Sequence, residues 1–186
     1  VHIKKERMNF AKAVNAGIQA GSSKYILILN DDVIVSKGWL REMVGACMEG
    51  VGAIGPLSNC DKGWRHNYDI SIGGVDLLPG INTFEQIEPV VQQIYDYKST
   101  YRDVIERDWV ALYCTLIPRS VIDRVGFLNE SYTNSGEDVD LCRRLRDCGK
   151  AVYFLPEARV LHTGGLSYGR ATKERLARRR RSTYAY

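Results

Sequence analysis

The sequence predicts an α/β fold in which a sheet is flanked by helices. Two observations carry that expectation. Short, unbroken apolar runs, Tyr25 to Leu29, Val51 to Gly55 and Trp109 to Ile117, have the length and composition of buried strands. Between the first two lies a segment of helical periodicity, and strand, helix, strand with the helix as crossover is the pattern of a parallel α/β sheet.

In chain order, Asn9 to Ala20 carries Phe10, Val14, Gly17 and Ile18 on one helical face, closed by Gly21 and Ser22. Tyr25 to Leu29 then reads as a strand buried on both faces, with Asn30, Asp31 and Asp32 at its carboxyl end, where open α/β sheets place ligands. Ser36 is a candidate cap for a helix bearing Trp39, Leu40, Met43, Val44 and Cys47, and the strand from Val51 is expected to stop at Pro56. From Leu57 to Asn82 the pattern dissolves into a long polar stretch, the kind of loop that is usually functional. Phe84, Ile87, Val91, Ile94, Tyr101 and Ile105 recur at helical spacing, with Thr83 and Gln86 as a capping box and Pro89 delaying or bending the helix. Arg119 to Val125 reads as a short helix ended by Gly126, and Leu141, Leu145 and Cys148 give a further helical face ended by Gly149. Val152 to Leu155 and Arg159 to His162 read as two short strands on either side of Pro156.

A chain of 186 residues that is 45% hydrophobic supports one sizeable core. The expected division is one domain over 1–168 and a basic tail over 169–186. Twenty-six basic against 22 acidic residues give a net charge of +4, and the excess is local, because Lys173 to Arg181 holds six cations against the single Glu174. The five cysteines show no CxxC spacing and read as reduced, mostly buried thiols, which points to the cytoplasm. No run has the length of a membrane span and the first residues do not read as a signal peptide, so membrane contact is expected to be peripheral.

Three constellations can carry chemistry. Asn30-Asp31-Asp32 suits a hard divalent cation that also holds phosphate oxygens; the competing reading is an ordinary turn, which the apolar runs on both sides disfavour. In Glu137-Asp138, the spacing Ser135-x-x-Asp138 matches a capping box, and a carboxylate fixed at a helix start also serves as a general base. His162 follows an apolar run and precedes Thr163-Gly164-Gly165; a lone histidine there is commonly structural, but the glycines allow a bound group to approach, and imidazole beside carboxylates suits manganese better than magnesium.

Taken together, Asn9-Phe10-Ala11-x-Ala13-x-Asn15-x-Gly17-Ile18, the run from Tyr25 to Asp32, Gly38-Trp39-Leu40, Gly136-Glu137-Asp138-Val139-Asp140-Leu141 with Arg144-Leu145 and Gly149, and Val160-Leu161-His162 with Ser167 resemble a family 2 glycosyltransferase of the GT-A fold. The branch most resembled contains rhamnosyltransferase-like and other enzymes of bacterial polysaccharide biosynthesis. The resemblance implies a Rossmann-like nucleotide-diphospho-sugar transferase, with a mixed sheet flanked by helices, that inverts the anomeric centre. It aligns Asn30, Asp31 and Asp32 with the DxD motif, making Asp32 the main metal ligand, with Asn30 and Asp31 facing ribose, diphosphate or the metal's water. His162 completes the metal site, for Mn2+ or Mg2+. Asp138 is the implied catalytic base and Glu137 supports the base or the acceptor. Arg170 and Lys173 match a segment that closes over the donor phosphates, and Trp109 borders the acceptor side.

Family members open with a strand, a turn and a second strand that hold the nucleotide; here eight residues precede Asn9, so the domain is expected to be incomplete at its N-terminus. The implied partners are a nucleoside-diphosphate sugar, a saccharide or lipid-linked acceptor, an anionic membrane surface for the basic tail at the inner face of the membrane, and a second copy of the chain. The alternatives are a non-catalytic sugar-binding or assembly module on the same fold, and a nucleic-acid-binding protein acting through Arg178 to Arg181, which the absence of aromatic-basic interleaving disfavours.

Overall fold

The computed structural model describes residues 8–58, 85, 104–132 and 135–162. Helix α1 (Phe10–Ala20) is capped by Asn9, whose side chain accepts a hydrogen bond from the Lys12 N–H at 2.8 Å. It leads into β1 (Tyr25–Leu29), then β2 (Val33–Val35), α2 (Trp39–Gly45) and β3 (Val51–Ser58). Later in the chain come β4 (Ile105–Arg107), β5 (Cys114–Pro118), α3 (Arg119–Val125), α4 (Glu137–Asp147) and β6 (Ala151–His162).

Among the described residues the strands form one six-stranded sheet in the order β1-β5-β3-β6-β2, with β4 also paired to β6. β5 runs antiparallel to both β1 and β3, whereas β3 and β6 are parallel, so the sheet is mixed, as the resemblance implies, and not parallel as the strand-helix-strand pattern alone suggests. Alternate residues of each strand face opposite layers. Ile26 and Ile28 join Ile117, Val152, Leu141 and Leu145 beneath α1, α3 and α4, while Ile54, Leu116 and Val160 pack with Met43 of α2 on the other face. In β1 only Ile26 and Ile28 are buried and Leu29 is 43% exposed, so this strand is half-buried rather than covered on both faces.

Both prolines expected to end strands are carried through them. Pro56 pairs with Leu155 and the next residue, Leu57, pairs with Arg159, so residues 156–158 of β6 are looped out of the ladder. Pro156 therefore occupies an irregularity where no ladder N–H is required. It is also where β6 changes its outer neighbour, from β4 at Val152 to Phe154 to β2 at Val160 to His162. Ile105, expected to end a helix, instead starts β4, because its alternation with Glu106 and Arg107 pairs them to Phe154, Tyr153 and Val152. Of the expected helix before it, Glu85 is described and is helical, and the rest up to residue 103 lies outside the described residues. The run from Trp109 is a strand only from Cys114 to Pro118.

The helix starts also differ from expectation. Gly38 (φ +82°) caps α2 and Gly136 (φ +102°) caps α4, each without a side-chain hydrogen bond, in place of Ser36 and of a capping box at Ser135. Both caps lie in the left-handed region that glycine enters without steric cost. Cys47, Cys114, Cys142 and Cys148 are free thiols.

β3 is buried along its whole length, and Gly55 makes that possible against the segment entering β5. A methyl carbon at Gly55 would lie 2.9 Å from Val110 Cβ. Gly55→Ala is therefore expected to cost about 1–3 kcal/mol by overpacking. Urea denaturation should show a lower midpoint at unchanged slope; an unshifted midpoint would show that the layer yields there.

Candidate functional site

β1 delivers the first constellation. Its ladder with β5 ends at Leu29 opposite Cys114, and one further bond, from the Asn30 N–H to Tyr113 O at 2.8 Å, holds the strand end in place. The Val33 N–H then returns to Asn30 O at 3.3 Å, closing a turn that contains Asp31 and Asp32. These residues are the whole link between β1 and β2, which stand at opposite ends of the strand path. Four Cα steps reach about 14 Å at most. The carboxylates are thus carried across the end of the sheet to β6, where Val33 pairs with His162.

That pairing brings Asp32 and His162 together. His162 Nε2 lies 3.0 Å from Asp32 Oδ1, with the side chains 15% and 8% exposed. The imidazole is stacked on Tyr113, ring centroids 4.6 Å apart and planes 19° from parallel. Tyr113 therefore braces both halves of the pair, its carbonyl holding Asn30 and its ring holding His162. No pattern in the sequence marks Tyr113 for this role, since it sits inside an apolar run and its partner lies on a distant strand.

Asn30, Asp31, Asp32 and His162 share the wall of an open cleft of about 820 Å³ that runs between α1 and β1. Phe10, Val14 and Ile18 line its apolar side. Arg119 is a cation on this wall, but its Nε donates to Ser23 O at 2.7 Å and its Nη1 to Ile18 O at 3.2 Å, so it is committed to the main chain.

The donor chemistry fits a divalent cation shared with a ligand. Asp32 and His162 bring a little-exposed carboxylate and an imidazole 3.0 Å apart, two donor types that a divalent cation takes. Among the described residues no group of three or more carboxylate, His or Cys side chains could hold a metal unaided. Small hard cations are commonly held in this way, by one or two protein groups plus phosphates and water.

The second constellation stands apart from the cleft, whose lining does not include Glu137 or Asp138. Both lie in the first turn of α4, where the helix dipole favours negative charge. Burial pushes both carboxyls above their ordinary range. For Glu137 the neighbouring Asp138 charge adds to that, against a backbone hydrogen bond; for Asp138 backbone N–H groups oppose it, among them Val139 N–H to Oδ1 at 2.8 Å. Glu137 Oε2 is buried without a hydrogen-bond partner. Asp140, in the same turn, is instead structural. It pairs with Arg144 at 2.9 Å, and Arg144 also donates to the carbonyls of Val125, Gly126 and Phe127, joining α4 to the end of α3.

Trp109 is partly buried against the core beneath α1 and α4. Arg170, Lys173 and the basic tail lie outside the described residues, as does the polar stretch after Ser58. No helix among the described residues is long and apolar enough to cross a membrane.

The family described as "Glycosyltransferase like family 2" matches residues 3–185. The chain is 31% identical over 184 residues to the uncharacterized protein y4gI of Sinorhizobium fredii, covering 93% of this chain and 19% of that protein. It is 29% identical over 171 residues to N-acetylglucosaminyl-diphospho-decaprenol L-rhamnosyltransferase of Mycobacterium tuberculosis, covering 87% of this chain and 54% of the relative. The chain thus spans from about a fifth to about half the length of these relatives. Among solved structures it is similar to GalNAc-T7 with UDP, GalNAc and Mn2+, at a TM-score of 0.60 and 17% identity, over 86% of this chain and 31% of that one.

Proposed function

Because this chain belongs to the glycosyltransferase-like family 2 and has the GT-A fold, we propose that its protein moves a sugar from a nucleoside diphosphate to a hydroxyl of a saccharide or lipid-linked acceptor, inverting the anomeric carbon. The observation that carries this reading is the Asp32–His162 contact on the wall of the cleft between α1 and β1. Asp32 and His162 would hold Mn2+ or Mg2+, and Asn30 and Asp31 would serve the ribose, the diphosphate or the metal's water. The cation supplies neutralisation of charge on the departing diphosphate.

Asp138 takes the proton of the acceptor hydroxyl as that oxygen attacks the anomeric carbon, and Glu137 supports the base or the acceptor. A carboxyl raised by burial is better matched to this task than a solvated one, since general bases work best with a pKa near the operating pH. Arg170 and Lys173 are assigned to the donor phosphates. A lipid-linked acceptor is supported by the decaprenol named for the rhamnosyltransferase relative, and it fits a protein working at the cytoplasmic face of a membrane, with the basic tail against anionic lipid.

Thermal melts with manganese and a panel of nucleoside diphosphates test the donor half. A rise in melting temperature that needs both the metal and one nucleotide of the panel is the expected result. No rise with any pair would remove the donor-site reading.

A further inference from the structure

We propose that Asn15 is a positioning residue for the Glu137–Asp138 pair, acting from α1 through the segment 128–132. The inference rests on the reading of Asp138 as the base.

Asn15 is 4% exposed on a helix whose neighbouring positions are apolar, a costly place for an amide unless all its polar atoms are used. They are used on one target. Its Nδ2 donates to Leu128 O at 2.9 Å and to Glu130 Oε1 at 3.0 Å, and its Oδ1 accepts from the Leu128 N–H at 3.0 Å. Asn9, which caps the same helix, donates to Glu130 O at 3.1 Å and Tyr132 O at 3.4 Å. Two side chains of α1 thus grip the main chain of this segment at Leu128, Glu130 and Tyr132.

The grip continues to the acids through Tyr132. Its ring lies against Gly136, where an added methyl carbon would come 2.9 Å from Tyr132 Cε1. Gly136 holds the left-handed conformation from which α4 starts, and Glu137 and Asp138 are the next two residues. α1 itself leads directly into β1 and hence to Asp32. α1 is therefore the common frame of the metal pair and the acid pair, and Asn15 is its buried anchor on the acid side. General-base catalysis depends on placement, and an ångström of error costs about a hundredfold in rate.

The test uses the full-length protein with saturating manganese. Asn15→Ala is expected to lower kcat roughly tenfold or more, while donor KM and Mn2+ affinity measured by electron paramagnetic resonance stay within about twofold of wild type. Tyr132→Phe keeps the ring on Gly136 and is expected to keep kcat, whereas Tyr132→Ala repeats the loss; this pair decides the matter alone should Asn15→Ala not fold. Undiminished kcat in folded Asn15→Ala, equal kcat in the two Tyr132 variants, or a parallel fall in donor and metal affinity overturns the proposal. Turnover retained in Asp138→Asn would instead remove the base reading itself. Turnover lost in Asp138→Asn but normal in Asn15→Ala and Tyr132→Ala would remove only the role of Asn15.

Discussion

Asp138→Asn is expected to cut sugar transfer by about a hundred- to ten-thousand-fold, the usual worth of a general base, while nucleotide-dependent stabilisation survives. The amide keeps the size of the carboxyl and can still accept from the Val139 N–H, so the start of α4 should hold. What it cannot do is take a proton from an acceptor. Unaffected turnover would sink the assignment.

The same substitution should raise stability at neutral pH, and the sign follows from burial. The Asp138 and Glu137 carboxyls have raised pKa values in the folded chain, so between the ordinary carboxylate range and those raised values the folded state binds more protons than the unfolded one. Stability then falls as pH rises through that window, and the ionised pair is a cost above it. Asp138→Asn removes part of the cost, a gain of about 1 kcal/mol being usual where a site is kept strained for function. Melting curves across pH should show the wild type gaining on the variant as the medium is acidified. A constant difference between the two would mean that burial does not set the charge state of Asp138.

Asp32→Ala is expected to abolish most of the manganese-dependent stabilisation. Residues that merely support a metal ligand are worth about 10–100-fold in affinity, and removal of a ligand should cost no less. At manganese about 100 times the wild-type Kd, binding contributes about 2.7 kcal/mol, and after a hundredfold loss about 0.4 kcal/mol remains. Melting without metal provides the control, because the variant also loses the contact to His162. If the manganese shift persists in Asp32→Ala, the cation sits elsewhere.

The layers of the fold were readable because burial imposes a period. The strand Tyr25 to Leu29, the helix α1 and the glycine that ends α3 each follow from local rules and appear where expected, although the buried positions of α1 are Ala11, Asn15 and Ile18, with Phe10 and Val14 on the cleft. Local rules failed where partners are distant. Pro56 and Pro156 read as strand ends, but each is accommodated opposite a register shift that only the β3–β6 pairing creates. Ile105 continued a helical spacing, yet β6 offered it an edge to pair with. Asp32 and His162 could be named individually from their settings, whereas the stacking of Tyr113 on His162 depends on a strand crossing that no spacing encodes. Asn15 left only a faint trace, one amide beside an apolar stripe, because its partners are backbone groups at Leu128 and a side chain at Glu130.

The place of β6 bears on how the chain is made. It is the last described strand to be synthesised, yet it lies inside the sheet, with β3 along one edge and β4 and β2 along the other. While the ribosome is still short of Ala151, three earlier strands wait with unmet backbone groups, and open edges of this kind recruit other chains. A nonsense mutation before β6 would therefore yield an aggregating product rather than a smaller folded one. Asp32 would meet its histidine only once β6 is in place, so metal binding would report that this strand has been threaded home.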